Sequence, residues 1–162
     1  PEEDFLQMNF DLIPAGILSK CEISLTNQTV KTTRYSKQCC EFAMVNPLRE
    51  GLSARYSWMA VADKSEGYAP LQAIKKLDLS TLEECLWSAA PRGFVSEPLM
   101  VPKPNSKIED EGWVLVLVWN GERNGTDLVI LKAKDLQEEA VVELPISIPP
   151  GLHGSWVQEV FS

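Results

Sequence analysis

A single histidine, His153, limits the chemistry this chain can carry by itself. No Ser-His-Asp or Cys-His arrangement has a second imidazole to draw on. The setting of His153 is Pro149-Pro150-Gly151-Leu152-His153-Gly154. Two prolines restrict the backbone ahead of it, and the flanking glycines permit close approach and unusual dihedral angles. A side chain held this way is one whose position matters, although context alone favours a plain hydrogen-bonded histidine at the end of a strand. One imidazole cannot hold a metal strongly, because iron of the oxidase type wants several N or O ligands. Two glutamates occupy similarly restricted places. Glu41 follows Cys39-Cys40 in a mainly apolar stretch from Cys39 to Val45, and Glu97 lies within Val95-Ser96-Glu97-Pro98-Leu99-Met100-Val101. A carboxylate buried in such surroundings must be paired or hydrogen-bonded. One use for it is to accept the N–H of a metal-bound imidazole, fixing that ring's tautomer and orientation. Taken singly, each reads first as a partly exposed strand glutamate.

The elements that must position these residues are strands. Ile17 to Leu25 alternates apolar and polar side chains and turns through Thr26-Asn27-Gln28 into Val30 to Tyr35. Arg55 to Ala62 reads as a strand, and Leu71 to Leu79 and Glu84 to Ser88 form a pair joined at Asp78-Leu79-Ser80-Thr81. Trp113 to Trp119 is apolar on both faces, which predicts a strand buried on both sides. Asn120-Gly121-Glu122-Arg123-Asn124-Gly125 is a hairpin turn, because Asn-Gly tolerates the positive φ that tight hairpins require. Asp127 to Ala133 returns from it, and Val141 to Leu144 follows. Pro102 to Lys107 and Pro149-Pro150-Gly151 are non-strand by their proline content. No helical periodicity lasts more than about two turns, so the chain is mainly β, arranged as a propeller or a sandwich.

Composition narrows the function classes. Of 162 residues, 44% are hydrophobic and 23% charged, a globular balance. The net charge of −8, with acidic clusters at Glu109-Asp110-Glu111 and Glu138-Glu139, would repel phosphate backbones and argues against nucleic acid. The clusters are expected to form a soluble acidic surface. Among four cysteines, Cys39 and Cys40 are adjacent and no CxxC pair exists, so structural zinc is not expected. Cys21 and Cys85 sit in strand-like stretches where a free thiol behaves as a small buried hydrophobe. Reduced thiols are expected, and with them a reducing compartment such as the cytoplasm or a plastid. The sequons at Asn27 and Asn124 fall in turn-like sequence, where such residues are common in any case. The acidic opening Pro1-Glu2-Glu3-Asp4 lacks the pattern of a signal peptide, and the longest apolar run is far short of a membrane span. A soluble piece of a longer protein is the expectation.

Six segments, in order from about Ile17 to Trp156, resemble the carotenoid cleavage oxygenases. Cys40-Glu41-Phe42-Ala43-Met44-Val45-Asn46-Pro47 is similar to the family's Glu-Phe-Pro-x-Ile/Val-Asn element, with Ala43 in place of its proline. Arg55-Tyr56 and the strand after it resemble the next element. Ser96-Glu97-Pro98-Leu99-Met100-Val101-Pro102-Lys103-Pro104, Glu109-Asp110-Glu111-Gly112-Trp113, Leu131-Lys132-Ala133-Lys134-Asp135-Leu136 and Gly151-Leu152-His153-Gly154 complete the set. The resemblance implies an all-β fold, the C-terminal blades of a seven-bladed β-propeller incomplete in this chain, with residues 1–162 forming the C-terminal part of one propeller domain. It also implies a non-haem Fe(II) ion (Fe2+) held by four histidines, three of them oriented by glutamates. Carried onto this chain, His153 is the last iron ligand, and Glu41 and Glu97 are two of the orienting carboxylates. The implied partners are a carotenoid or apocarotenoid and O2, the implied reaction being cleavage of a conjugated double bond to aldehydes or ketones. Peripheral membrane contact would come from parts of the parent outside this chain. Two other readings stand beside this one. One is a non-enzymatic propeller or sandwich module that binds a partner protein, and the other is isomerohydrolase-like activity on retinyl esters.

Overall fold

Alternating side chains and β-branched runs, broken by Asn, Asp and Gly at the turns, leave this chain few choices but antiparallel pairing. The computed structural model describes residues 12–149 and 151–157, so the acidic opening Pro1 to Asp4 and Pro150 lie outside the described residues. Eleven strands form three sheets among them. A hairpin pairs β1 (Ser19–Ser24) with β2 (Thr29–Arg34). A four-stranded meander follows in the order β3 (Cys40–Met44), β4 (Tyr56–Ala62), β5 (Leu71–Asp78), β6 (Glu84–Ser88). The third sheet contains β7 (Gly93–Val95), β8 (Leu99–Pro102), β9 (Gly112–Asn120), β10 (Gly125–Lys132) and β11 (Glu138–Glu143). Here β7 and β8 lie end to end along β9, with Phe94 opposite Trp119 and Met100 opposite Val114. Gly112 permits that approach, because a Cβ there would stand 2.2 Å from the Val101 carbonyl oxygen. Sequential antiparallel strands in successive small sheets are the blade pattern of a β-propeller, of which the chain supplies a part.

The core lies between the meander and the third sheet. Trp58, Ala60 and Ile74 from the meander meet Met100, Val114, Val116, Val118, Val129 and Leu131. The indole Nε1 of Trp58 donates to the Ala133 carbonyl at 2.9 Å, so the largest buried ring is satisfied without water. The meander's other face holds Cys40, Met59, Val61, Ala73 and Leu77, with Leu18 and Tyr35, bonded to each other at the open end of the β1–β2 hairpin, packed on it.

This layering corrects the reading of Trp113 to Trp119. Val114, Val116 and Val118 are buried, whereas Trp113, Leu115, Leu117 and Trp119 are only half-buried. The strands enclosed on both faces are β4, from Ser57 through Ala62, and β5, from Ala73 through Asp78, because the meander is the middle layer and the third sheet the outer one. Two further expectations are overturned. Cys21 and Cys85 are exposed, being on the solvent-facing hairpin and the meander's edge strand, while Cys39 and Cys40 are the buried thiols. Burial pushes the Cys40 thiol pKa up.

The acidic cluster at 109–111 is also not simply solvated surface. Asp110 is 9% exposed and accepts from Lys76 Nζ at 2.5 Å. Lys76 Nζ also donates to the Lys134 carbonyl at 2.6 Å and lies 4.1 Å from the centre of the Tyr56 ring. Glu109 Oε1 accepts the backbone N–H groups of Arg55 and Tyr56, and Asn46 Nδ2 donates to the Glu109 carbonyl. These bonds fasten the start of β4 and the middle of β5 to the segments that enter β9 and leave β10. Of the three acids, Glu111 behaves most as expected. It pairs with Lys103 near the surface, and that bond, with one from the Ser106 hydroxyl, lowers its pKa.

Candidate functional site

Glu97 is aimed by an interruption in the third sheet. Between β7 and β8 the chain leaves the edge of β9 for Ser96, Glu97 and Pro98, after Ser96 N–H bonds the Leu117 carbonyl at 2.9 Å. Pro98 has no N–H to give the ladder and is buried, which holds the interruption in place. The carboxylate projects from this break and meets the chain returning after β11. Its Oε1 lies 3.3 Å from His153 Nδ1, and its Oε2 accepts the Gly154 N–H at 2.6 Å. One carboxylate thus holds both the ring of His153 and the backbone of the next residue. The Glu97 side chain is 21% exposed and that of His153 69% exposed.

The chemical consequence concerns the tautomer. With Nδ1–H donating to Glu97, the lone pair of the neutral ring sits on Nε2, turned away from the carboxylate and available to a metal ion. The hydrogen bond to an anion also makes Nε2 a better donor. Nitrogen donors of this type suit Fe(II), so the residues present fit the ion that the resemblance implies. Among the described residues no cluster of three or more His, Cys, Asp and Glu could hold a metal ion.

Glu41 is not brought to His153. It is exposed, in β3, with Oε1 lying 3.0 Å from where a Cβ on Gly16 would stand. The side chain beside it is brought there instead: the Phe42 ring meets the His153 imidazole edge to face, with centroids 5.9 Å apart and planes at 89°. Nothing in composition or spacing singles out Phe42, because the feature that places it is a β-bulge with φ of +57°. The Glu97 bond to Gly154 N–H was hidden for a similar reason: residues 57 apart in the chain meet only once β7, β8 and the returning segment are in place.

Next to this pair lies a cavity of about 320 Å³, lined by Leu99, Leu115, Leu117, Leu128, Ile148 and Leu152 together with Glu97 and His153. A second cavity of about 510 Å³ shares Leu115 with it and continues to Trp113, Pro104, Ile130 and Trp156. Both are bounded by the half-buried face of the third sheet.

A family description matches this arrangement over nearly the whole chain: that of the retinal pigment epithelial membrane protein covers residues 2–158. The chain belongs to this family, the carotenoid cleavage oxygenases. It is 42% identical over 157 residues to an apocarotenoid-15,15'-oxygenase of Synechocystis sp., across 96% of this chain and 32% of that protein. A lignostilbene-alpha,beta-dioxygenase isozyme III of Sphingomonas paucimobilis is 30% identical across 72% of this chain and 26% of its own length. The crystal structure of the cobalt-substituted Synechocystis apocarotenoid oxygenase superposes with a TM-score of 0.93 at 41% identity, covering 96% of this chain and 33% of that one. The chain therefore spans between about a quarter and a third of the length of these relatives. As part of a carotenoid cleavage oxygenase, its two larger sheets are propeller blades, and the Glu97–His153 pair joins the last described segment to the outer blade.

Proposed function

We propose that residues 1–162 are the C-terminal part of a single propeller domain whose complete protein cleaves a conjugated double bond of a carotenoid or apocarotenoid with O2, giving aldehyde or ketone products. The observation that carries this reading is the Glu97–His153 pair, an imidazole oriented by a carboxylate at the edge of an apolar cavity. His153 would hold Fe(II) through Nε2, and Glu97 would keep the ring in that tautomer. Glu41, whose carboxylate has no hydrogen-bonding partner among the described residues, would accept the N–H of an imidazole from outside this chain. The bound ion supplies the one-electron and O2 chemistry that side chains lack. The apolar walls of Leu99, Leu115, Leu117 and Leu128 would take up the polyene and exclude water. With one imidazole, this chain alone would be inactive. The exposed thiols of Cys21 and Cys85 suit a reducing compartment, cytoplasm or plastid.

The test uses the complete protein loaded with Fe(II). It is offered, separately and in air, a C40 carotenoid, an apocarotenal, a lignostilbene-type stilbene and a retinyl ester, and products are followed by chromatography and mass spectrometry. Carbonyl fragments from a polyene, lost in His153→Ala together with the iron, are expected. Cleavage of the stilbene alone or isomerisation of the ester would replace the substrate assignment. Full iron content and turnover in His153→Ala would make the Glu97–His153 pair a structural corner.

A further inference from the structure

We infer that Phe42 is a positioning residue for His153, delivered to it by a strained bulge in β3; the inference rests on the reading of His153 as a metal ligand. The pairing of β3 with β4 runs Cys40 to Val61, Glu41 to Ala60 and then Met44 to Trp58, so Phe42 and Ala43 together stand against Met59 alone. That extra residue is a β-bulge, and Phe42 occupies its left-handed position at φ +57°, where glycine is the usual occupant and a bulky side chain is strained.

The bulge changes which side of the sheet Phe42 faces. Side chains alternate along a regular strand, so Phe42 would share the face of Cys40, which packs with Met59 and Val61. Instead its ring packs with the cluster of Trp58 and Ala60 and reaches His153. A strained backbone is therefore spent on moving one aromatic ring through the sheet to the imidazole, which is the pattern expected where a site demands it.

The imidazole has need of this contact. Its side chain is 69% exposed, and one hydrogen bond from Nδ1 fixes the tautomer but leaves the ring free to rock about the Nδ1–Oε1 line. An edge-to-face neighbour on the ring removes that freedom. Aromatic pairs of this geometry, converted at tenfold per 1.4 kcal/mol, correspond to roughly 2- to 12-fold in an equilibrium constant. Phe42 should thus tighten metal binding by about that factor without itself touching the metal.

The test uses the complete protein reconstituted with Co(II), whose visible absorption reports ligand geometry independently of turnover. Co(II) affinity is measured by competition with a chelator in wild type, His153→Ala, Phe42→Leu and Phe42→Tyr, with circular dichroism as the check on folding. Phe42→Leu is expected to bind Co(II) roughly 2- to 12-fold more weakly, with a shifted visible band, and Phe42→Tyr to restore both. Phe42→Met takes the place of Phe42→Leu if the latter does not fold. Wild-type affinity and spectrum in Phe42→Leu or Phe42→Met, or a Phe42→Tyr protein as weak as they are, overturns the positioning role. A His153→Ala protein that keeps wild-type Co(II) binding overturns the ligand assignment instead, so the two failures are told apart.

Discussion

Lys76 offers a direct measure of what joins the two larger sheets. It lies in the meander, is 7% exposed, and its ammonium bonds Asp110 and the Lys134 carbonyl on the neighbouring sheet while resting on the Tyr56 ring. Lys76→Met keeps most of the apolar stem and removes the charge. Asp110, whose side chain is 12% exposed, would then hold a carboxylate at the junction without its hydrogen-bonded counter-charge, the Arg55 guanidinium acting on it only through space. Breaking a buried pair from one side costs about 3–5 kcal/mol, and the remaining access of Asp110 to water places this case near the lower figure, about 3 kcal/mol. Replacing both partners, Lys76→Met with Asp110→Leu, removes the stranded charge and should recover most of that loss. The exposed pair Lys103–Glu111, at 2.7 Å, serves as the internal control, and Lys103→Met should leave the unfolding midpoint close to that of wild type. Urea unfolding followed by tryptophan fluorescence measures all four proteins. A single Lys76→Met within about 1 kcal/mol of wild type, or a double variant less stable than the single, would refute the argument that this junction rests on a desolvated ion pair.

Three other outcomes follow from the same geometry. In the complete protein, Glu97→Gln should lower metal affinity roughly 10- to 100-fold and regain part of its activity with excess Fe(II), whereas His153→Ala should regain almost none; equal rescue of both would contradict their assigned roles. The Arg55 guanidinium, with the Ser80 hydroxyl, holds the Asp78 carboxyl well below the usual carboxylate range. The unfolded chain therefore binds this proton first, so the stabilisation is complete above about pH 4 and is lost as the pH falls toward the lowered folded-state pKa; Asp78→Asn should flatten the acid limb of a stability–pH curve, and an unchanged limb would count against it. Finally, this chain by itself should self-associate through the half-buried face carrying Leu115, Leu117 and Leu128, and sedimentation should show Leu115→Glu shifting it toward monomer; a wild-type chain that stays monomeric at high concentration would exclude that face.

The parts of this fold that were legible in sequence are those set by local chemistry. Alternation and β-branching placed β4, β5 and β6 within a residue or so, and Asn120 to Gly125 set the β9–β10 hairpin in register, with Asn120 opposite Gly125. What could not be read was anything decided by which layer a strand ends in. The run Trp113 to Trp119 carries enough apolar surface for two buried faces, yet only one is covered, while β4, with Ser57 in its run, is enclosed on both. Lys75 and Lys76 look like solvent-facing strand residues, and both are buried, because Glu84 and Asp110 neutralise them on opposite sides of β5. At the site, Glu97 and His153 were legible as residues set beside Pro98, Pro149 and glycine, but their meeting at 3.3 Å joins residues 56 apart and exists only once β7, β8 and the returning segment are in place. Phe42 was not, since a bulge is a mismatch in residue count between two strands and exists only once they pair. The resulting site is therefore built from two kinds of constraint. Pro98, visible in the sequence, interrupts the sheet where Glu97 projects; a strained bulge, visible only in the fold, turns Phe42 through the sheet to meet the imidazole that Glu97 holds.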